Sequence, residues 1–275
     1  PRLSNLKLDI RETDSIPLEG VEAIIHLANI ANDPAVELNP TLSWEVNVLA
    51  GQQLADRAVR TGVRQFIYAS SGSVYGIKEE AAVTEDLSLV PISVYNKTKM
   101  IAERVLISYS NKMQVHCVRP ATVCGLSPRM RLDVSVNMLS YQALKHGRIT
   151  VFGGEQTRPN IHILDIANVY RHFLGNQFLQ SGCYNAGFEN ISIIDIAKQI
   201  AEIIPAEIVV TSSNDARSYR QDSSKLLNTG FVANHSIKTA IDEIKIAYDN
   251  DLLDDREEWH TIKRMKSLHL DKWQN

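Results

Sequence analysis

Tyr95 and Lys99 stand four positions apart in the stretch SVYNKTK, residues 93–99. On a helix, residues at i and i+4 lie on the same face, close enough for their side chains to meet. One interpretation is an exposed polar face, which is the usual role of an isolated pair of this kind. The other is a phenol whose pKa is lowered by the neighbouring cation, so that it exchanges protons near neutral pH. The surroundings of the pair decide between the two.

Two hydroxyl groups are expected close to this pair. The segment YASSGSVYG, residues 68–76, places Ser70 and Ser71 at the end of a strand-like run. In a parallel sheet, residues just past the carboxyl end of a strand face the ligand crevice. Serines at strand ends often only cap backbone groups. However, a serine that binds a substrate hydroxyl, a tyrosine that takes its proton and a lysine that supports the phenolate form a proton-transfer set.

The elements that must position these residues alternate between strand and helix, which indicates parallel α/β architecture. A long helix is predicted over residues 41–62, with Asn39 as N-cap, Pro40 at its first position and Gly62 at its end. The helix that carries Tyr95 and Lys99 is predicted to run to about residue 110. The predicted strands of this half are VEAIIHLAN (21–29), buried on both faces, RQFIYASS (64–71) and QVHCVRPA (114–121).

The second half of the sequence predicts shorter elements. Asp165 is expected to cap a helix, and Ser192 with Asp195 forms a capping box for the next helix, which Pro205 closes. The remaining predicted elements are a helix within 129–147, the strands ITVFGG, CYNAGF and EIVV, and the final helix SIKTAIDEIKIAYDN. We therefore predict a doubly wound parallel sheet over 1–121 and a smaller lobe over 122–275, with 161–188 returning to the first domain.

Composition narrows the class of protein. Of the 275 residues, 44% are apolar and 22% are charged, as in an ordinary soluble domain. The net charge of −3 offers no basic face for nucleic acid, and no apolar run approaches the ~18 residues that span a membrane. The N-terminal residues do not resemble a signal peptide, and three widely spaced cysteines do not suggest disulfides or zinc. We expect a reduced, cytoplasmic protein that binds neither nucleic acid nor membrane.

The ordered segments HLAN, YASSGSVYG and VYNKTK resemble the extended short-chain dehydrogenase/reductases, and more narrowly the nucleotide-sugar epimerase/dehydratase group. LKLDIRE resembles the GDIRD segment of that group, RPNIHILDIANV resembles RDYVHVDDVA, and SYRQDSSKLLNTGF resembles its late D-x-SK-x-x-x-LGW signature. The resemblance implies a Rossmann-like fold, NAD as cofactor, a nucleotide-diphosphate sugar as substrate and a homodimer.

The resemblance also implies roles for single residues. Ser71 matches the catalytic Ser/Thr, Tyr95 the general base, and Lys99 its partner, which in the family also holds the nicotinamide ribose. Cofactor contacts are implied for Asp9, Ile10, Leu27, Ala28, Asn29, Asn47 and Ser70. Substrate contacts are implied for Ser71, Thr122 and Arg158, the last as a diphosphate anchor, with a second anchor at Arg217 or Arg220. Arg129 or Arg131 is a further candidate near the nucleotide.

One family feature is absent from this sequence. The first βα turn of the family carries a glycine-rich loop that lets the cofactor pyrophosphate approach a helix N-terminus. The 13 glycines here form neither GxGxxG nor GxxGxxG, and the sequence begins near the family's third strand. We expect ~35–50 further residues upstream that supply a strand, a glycine-rich turn and a helix.

These observations predict a 4-epimerase or 4-oxidoreductase that works through a 4-keto sugar. One alternative is a 4,6-dehydratase, and the other is a non-catalytic protein that binds a dinucleotide as a sensor or scaffold. Similar dehydratases place an Asp-Glu pair directly after the catalytic Ser/Thr, whereas Gly72 and Ser73 follow Ser71 here. Neither residue can hold or donate the proton that water elimination needs, and this favours the epimerase.

Overall fold

The structure, a computed structural model, describes residues 3–176, 178–213 and 218–271. Its strands are β1 (Ala23–His26), β2 (Gln65–Ala69), β3 (Gln114–Pro120), β4 (Thr122–Cys124), β5 (Arg148–Phe152), β6 (Thr157–His162), β7 (Gly182–Ala186), β8 (Glu189–Ser192) and β9 (Glu207–Thr211). Its helices are α1 (Asp33–Leu38), α2 (Pro40–Trp44), α3 (Ala50–Arg60), α4 (Val94–Ile107), α5 (Ser135–His146), α6 (Ile163–Gly175), α7 (Ile193–Ile203), α8 (Ser224–Leu227), α9 (Ile237–Asp249) and α10 (Thr261–Ser267).

A parallel four-stranded sheet in the order β1-β2-β3-β7 forms the centre of the first half. Its inner strands β2 and β3 are almost fully buried, and α3 and α4 pack against them in one apolar cluster. β1 differs from its prediction: only His26 is buried, while the other three residues are partly exposed. The prediction that both faces of β1 are buried is therefore wrong for the described residues, among which β1 pairs with β2.

The long helix predicted over 41–62 is interrupted. It starts as predicted, because the Asn39 side chain accepts a hydrogen bond from the Leu42 amide at 3.0 Å and Pro40 takes the first position. A π-helical turn over Glu45–Leu49 then separates α2 from α3, and Asn47 lies within it. Turns of this kind widen a helix locally and are frequent at functional sites.

A second group of elements packs around its own core. β4, β6 and β8 form a three-stranded sheet, and β5 pairs with β9 in parallel. Helices α5, α7 and α9 contribute apolar residues to one shared buried cluster with β5. β7 leaves this group and pairs with β3, with Cys183 opposite Cys117.

The start of α6 also differs from the prediction. His162, not Asp165, is the N-cap, because its Nδ1 accepts a hydrogen bond from the Leu164 amide at 3.2 Å. Asp165 is the third residue of the helix, and its buried carboxylate binds the segment before α9 instead. α7 begins as predicted, with the Ser192 side chain accepting from the Asp195 amide.

The charged C-terminal segment is folded onto the rest of the molecule. Trp259 is 3% exposed and packs with Met130 and Leu132. Farther along, the carbonyl of Leu270 accepts a hydrogen bond from the Asn39 side chain at 3.1 Å. Among the helices described, none has both the length and the apolar character needed to cross a bilayer.

Candidate active site

A cavity of about 360 Å³ opens beyond the carboxyl ends of β2 and β3. Its lining includes Ser70, Ser71 and Tyr95, and also Thr122 and Arg158. The predicted catalytic hydroxyls and two of the predicted substrate residues therefore lie around the same space. Further lining residues are Asn32, Asp33, Ser73, Arg131, Asn137 and Tyr219.

Tyr95 is positioned by the first turn of α4. Ser93 caps this helix by accepting a hydrogen bond from the Asn96 amide at 3.1 Å, and its hydroxyl donates to the Asp33 carboxylate. Ser71 precedes a 3-10 turn over Gly72–Tyr75 and accepts from the Ser73 amide at 3.2 Å. The Ser71 side chain lies near the Tyr95 phenol and acts to lower the pKa of that phenol. The serine and the phenol thus meet at the cavity, as their spacing predicts.

The pKa of Tyr95 is displaced in the direction opposite to the proton-transfer interpretation. Burial raises the pKa of Tyr95 to about 12, and the neighbouring Ser71 side chain only partly opposes this effect. Lys99 does not reverse the shift, because its Nζ lies 5.8 Å from the centre of the Tyr95 ring and donates to the Ala69 carbonyl at 2.7 Å. The phenol is therefore protonated at neutral pH in this arrangement.

Lys99 is buried, with 2% of its surface exposed. Burial lowers its pKa to about 7, while the nearby Glu103 carboxylate acts in the opposite direction. Its ammonium group also lies 4.9 Å from the centre of the Tyr68 ring. Lys99 therefore gains and loses a proton near neutral pH, beside the phenol that the sequence pairs with it.

The residues predicted to contact the cofactor fall into two places. Leu27 and Ala28 are exposed just past β1, and the next residue, Asn29, has a buried amide nitrogen without a hydrogen-bond partner in the described residues. Asp9 lies elsewhere, beside a second cavity of about 320 Å³ that Leu49 also lines. Ile10 is partly buried against the core below β1.

Asp9 is already engaged within the protein. Arg11 donates to its carboxylate at 2.8 Å, and this bond is the main cause of its lowered pKa. Arg11 also binds Glu45 at the π-helical turn, at 3.1 Å. The sequence did not single out Arg11, although it stands two positions after Asp9 in LKLDIRE.

Asn47 and Ser70, two of the residues predicted to contact the cofactor, form hydrogen bonds with residues of other elements. Asn47 accepts from the Ile30 amide at 2.8 Å and donates to the Ile30 carbonyl and to Thr98, so it ties the loop after β1 to α4. Ser70 lines the cavity but is only 3% exposed, and its hydroxyl donates to Glu103 at 2.5 Å.

The predicted arginines are not all brought together. Arg158 on β6 lines the main cavity, and its Nη1 donates to the Thr157 carbonyl at 3.2 Å. Arg220 is exposed on a separate cavity of about 600 Å³ beside Phe188 and Phe231. Arg217 lies outside the described residues. Arg131 lines the main cavity, and of the two arginines considered in that stretch it is the one placed there.

The residue after Ser71 is held in a tight space. A Cβ atom at Gly72 would lie 3.2 Å from the hydroxyl of Tyr219 and 3.3 Å from the amide of Gln221. A longer side chain at this position requires both neighbours to move. Tyr219, which the sequence did not single out, therefore shapes the cavity next to Ser71.

A buried polar network behind the cavity was also missed at the sequence level. Arg119 donates to both carboxylate oxygens of Glu103, at 2.9 and 2.8 Å, and to the hydroxyl of Tyr75 at 2.7 Å. Tyr75 in turn donates to Asn185 at 2.8 Å. The available signal was spacing, because Glu103 stands four residues after Lys99 and eight after Tyr95 on one helix face.

The amino-acid sequence is similar to those of known proteins. The model of the NAD dependent epimerase/dehydratase family matches residues 4–187. The chain is 32% identical over 191 residues to the Bacillus subtilis protein YtcB, named an uncharacterized UDP-glucose epimerase, and the match covers 68% of this chain and 60% of that protein. It is 25% identical over 249 residues to the UDP-glucose 4-epimerase of the same bacterium, covering 78% and 74% of the two chains.

Solved structures agree on the architecture. The UDP-glucuronic acid 4-epimerase of Bacillus cereus, solved with UDP-glucuronic acid and NAD, is 26% identical with a TM-score of 0.76, covering 88% of this chain and 79% of that one. MoeE5 in complex with UDP-glucuronic acid and NAD gives a TM-score of 0.80 at 24% identity, covering 89% and 85%. The predicted Rossmann-like α/β fold is confirmed.

Proposed function

The chain belongs to the NAD-dependent epimerase/dehydratase family, and we propose that it is an NAD-dependent 4-epimerase or 4-oxidoreductase of a nucleotide sugar. The observation that carries this proposal is the convergence of Ser71 and Tyr95 with Arg158 on one cavity. The hydroxyl groups of Ser71 and Tyr95 suit a sugar alcohol, and the guanidinium group of Arg158 at the same cavity suits a diphosphate.

The residues of this chain fit parts of NAD. The unpartnered amide nitrogen of Asn29 offers a hydrogen-bond donor at the carboxyl end of β1, next to the exposed Leu27 and Ala28. Lys99 offers an ammonium group next to Tyr95 for ribose hydroxyls, and Asp9 lies beside a cavity near α3. When bound, NAD supplies a positively charged acceptor that takes the hydride from C4 of the sugar and can return it.

The chain's own residues move the proton. The Ser71 hydroxyl binds the sugar hydroxyl at C4. Burial keeps Tyr95 protonated in the structure, so the phenol must first lose its proton to solvent. As a phenolate beside the Lys99 ammonium group, it then accepts the proton of the sugar hydroxyl as the C4 hydride leaves. The product is a 4-keto sugar. In the return step the Tyr95 phenol gives the proton back to the ketone oxygen and becomes a phenolate again, and the Lys99 ammonium group stabilises that phenolate. Return of hydride to the other face of the sugar gives the C4 epimer.

The residues directly after Ser71 provide neither the acid nor the base that elimination of water from the sugar requires. A 4,6-dehydratase needs an acid and a base at C5 and C6, and Gly72 has no side chain while the Ser73 hydroxyl is bonded to Ser71 at 2.8 Å. The acidic residues of the following loop do not line the described part of the cavity. Glu85 binds the Asn185 amide at 2.6 Å, and the others, Glu79, Glu80 and Asp86, are exposed.

The test is a product analysis with the protein expressed from its complete reading frame. It is incubated with NAD and, separately, with UDP-glucose, UDP-galactose and UDP-glucuronic acid. We expect a product with unchanged mass and inverted C4 for an epimerase, or a change of two hydrogens for an oxidoreductase. A product lighter by one water, formed at a catalytic rate, restores the dehydratase. Binding of NAD without turnover of any sugar favours the sensor. The homodimer and the cytoplasmic location stay predictions.

A further inference from the structure

Glu103 is a buried acid that the mechanism above does not use. It lies on α4 one turn after Lys99, and it is 2% exposed. A carboxylate is rarely buried this completely unless its oxygens are paired. Its partners therefore indicate what it does.

The partners of Glu103 come from two neighbouring strands. Ser70, at the end of β2, donates to Oε1 at 2.5 Å. Arg119, on β3, donates through Nε and Nη2 to the two oxygens, which is the bidentate geometry of a strong charge-assisted pair. The carboxylate is thus held at one place and in one orientation.

These contacts fix the strand end that presents the catalytic serine. The carbonyl of Ala69 accepts from Lys99, the hydroxyl of Ser70 binds Glu103, and the next residue is Ser71. On the other side, the Ser70 amide donates to the Val118 carbonyl at 2.7 Å. Two successive residues of the chain are therefore bonded to α4 immediately before the residue that meets Tyr95.

Glu103 is also the negative charge that faces Lys99. Burial lowers the pKa of His26 to about 4, so this ring is neutral at pH 7. Burial raises the pKa of the Tyr68 phenol, and a hydrogen bond to Cys183 together with burial raises that of the Cys117 thiol, so both keep their protons. Of the described titratable groups around Lys99, Glu103 is the one that carries a negative charge. The groups considered, from β1, β2, β3 and α4, are His26, Tyr68, Tyr95, Glu103 and Cys117.

We propose that Glu103 is a positioning residue of the candidate active site. It holds the Ser70–Ser71 end of β2 against α4, and its charge stabilises the ammonium form of Lys99. The kinetic consequence rests on the proposed function, whereas the effect on Lys99 does not. A buried ion pair with Arg119 that is only structural would influence stability without changing how Lys99 titrates.

The test follows Lys99 directly. Lysines labelled with ¹³C at Cε are titrated by NMR, and the Lys99 signal is assigned by its loss in Lys99→Arg. Glu103→Gln keeps the shape of the side chain and removes its charge. We expect the Lys99 midpoint to fall by roughly one pH unit or more, since loss of one nearby charge has an effect of this order at a buried site. Glu103→Asp, which keeps the charge, should restore most of the parental midpoint.

A second variant separates the charge effect from damage to the fold. Glu103→Gln leaves the Arg119 guanidinium buried without its anion, which destabilises a protein strongly. Glu103→Gln/Arg119→Gln removes both charges, and the Lys99 midpoint should still lie below that of the parent. An unchanged midpoint in this folded double variant overturns the proposal and leaves the ion pair structural.

The active enzyme provides an independent readout. If Lys99 must be charged to stabilise the phenolate, turnover declines as pH rises through its pKa. Glu103→Gln should then move this alkaline limb to lower pH, while Glu103→Asp moves it less. Absence of turnover on every nucleotide sugar contradicts the proposed function alone, because the NMR midpoint still decides the role of Glu103.

Discussion

Tyr95 carries the hydroxyl on which the proposed proton transfer depends. Tyr95→Phe removes one oxygen from the first turn of a well-capped helix, so the fold should persist. Turnover should fall by roughly 10²–10⁴-fold, the usual contribution of a positioned acid or base. The measurement is kcat with the best nucleotide sugar. The matched control is Tyr109→Phe, whose hydroxyl binds Asp56 away from the cavity. Parental turnover in folded Tyr95→Phe would exclude the assignment.

Lys99 gives a prediction about stability and pH. Its pKa falls from 10.5 to about 7 in the folded protein, so between these values the unfolded chain binds more protons and stability rises with pH. Below pH 7 Lys99 is charged in both the folded and the unfolded protein, so the full free-energy cost of burying its charge lowers the stability. Lys99→Met removes this cost, which corresponds to at most about 5 kcal/mol.

The measurement is the free energy of unfolding in denaturant between pH 6 and 9. The free energy of unfolding of Lys99→Met should exceed that of the parent most at pH 6, and this difference should shrink as pH rises. The range stays below pH 10, because the raised pKa of Tyr95 lowers stability between about 10 and 12. Lys97→Met, on the exposed face of the same helix, is the control and should show no such trend. A difference independent of pH would mean that Lys99 is charged throughout.

Arg158 is the side chain proposed to hold the diphosphate. Arg158→Lys keeps the charge and loses the planar fork, so nucleotide-sugar affinity should fall by about tenfold. Calorimetry with UDP-glucose measures this, and the content of bound NAD should stay unchanged. Arg148→Lys, exposed at the start of β5, is the control. Equal affinity in both variants would place the diphosphate elsewhere.

At the scale of elements, two helices offer a matched comparison. Asp165 is the third residue of α6, and Asp195 is the third residue of α7. Asp195 is exposed and binds Ser192 and Lys198 locally. Asp165 is fully buried and accepts from the amides of Asn234 and His235, with Nδ1 of His235 at 2.8 Å. It therefore joins α6 to the segment that leads into α9.

Asp165→Ala should lower the free energy of unfolding by about 3–5 kcal/mol, because it leaves two amides and an imidazole without their anion. In a chain of this size each kcal/mol moves the thermal midpoint by about 2–4 °C. Asp195→Ala should produce only a small change. Differential scanning calorimetry measures both. Similar midpoints for the two variants would show that the link to the segment before α9 contributes little.

The sequence predicted most elements but not their irregularities. Hydrophobic spacing does not distinguish a continuous helix over 41–62 from one with a π-helical turn. The insertion is fixed by the bonds of Asn47 to Ile30, which are contacts between distant segments. β1 was predicted to be buried on both faces because its run is apolar, yet its exposure depends on which distant elements pack against those faces. Local patterns do not contain this information.

At the scale of the whole molecule, local sequence patterns predicted some features of the candidate site, while others depend on how separate elements pack. The presence of Ser71 and Tyr95 at one cavity was predictable, because the strand end and the first turn of α4 both reach it, while the catalytic roles of Ser71, Tyr95 and Lys99 stay predictions. The Glu103–Arg119 pair and Tyr219 were not, since each depends on how separate elements pack. Arg220 shows the converse: its residue type fits a diphosphate, but the fold directs it to another cavity.

The C-terminal segment over 250–271 contacts Asp133, a carboxylate that binds two residues lining the same cavity. Asp133 accepts hydrogen bonds from Arg131 at 2.6 Å, from the Asn32 side chain at 3.3 Å and from the Thr261 amide at 3.2 Å. Burial raises the pKa of Asp133, but the bonds from Arg131 and Thr261 lower it overall, so the carboxylate is charged. Arg131 and Asn32 both line the cavity, and the segment therefore helps to hold two of its walls.

The hydrogen bond from the Thr261 amide to Asp133 can be removed by one substitution. Thr261 is the first residue of α10, where proline is well tolerated because the missing N–H is not needed by the helix. Thr261→Pro therefore removes mainly the bond to Asp133. We expect the KM for the nucleotide sugar to rise several-fold, since Asp133 loses one of its three donors and holds Arg131 less firmly, while kcat changes less. Steady-state kinetics measure both constants.

Thr261→Ala is the matched control, because it keeps the backbone N–H that donates to Asp133 and removes only the side-chain hydroxyl. It should behave like the parent. If Thr261→Pro also keeps the parental KM while α10 stays folded by circular dichroism, Asp133 positions Arg131 without the C-terminal segment. If both variants raise KM equally, the threonine side chain and not its amide is what matters. A rise confined to the proline variant identifies the hydrogen bond from the segment to Asp133 as the contact that keeps the cavity wall in place.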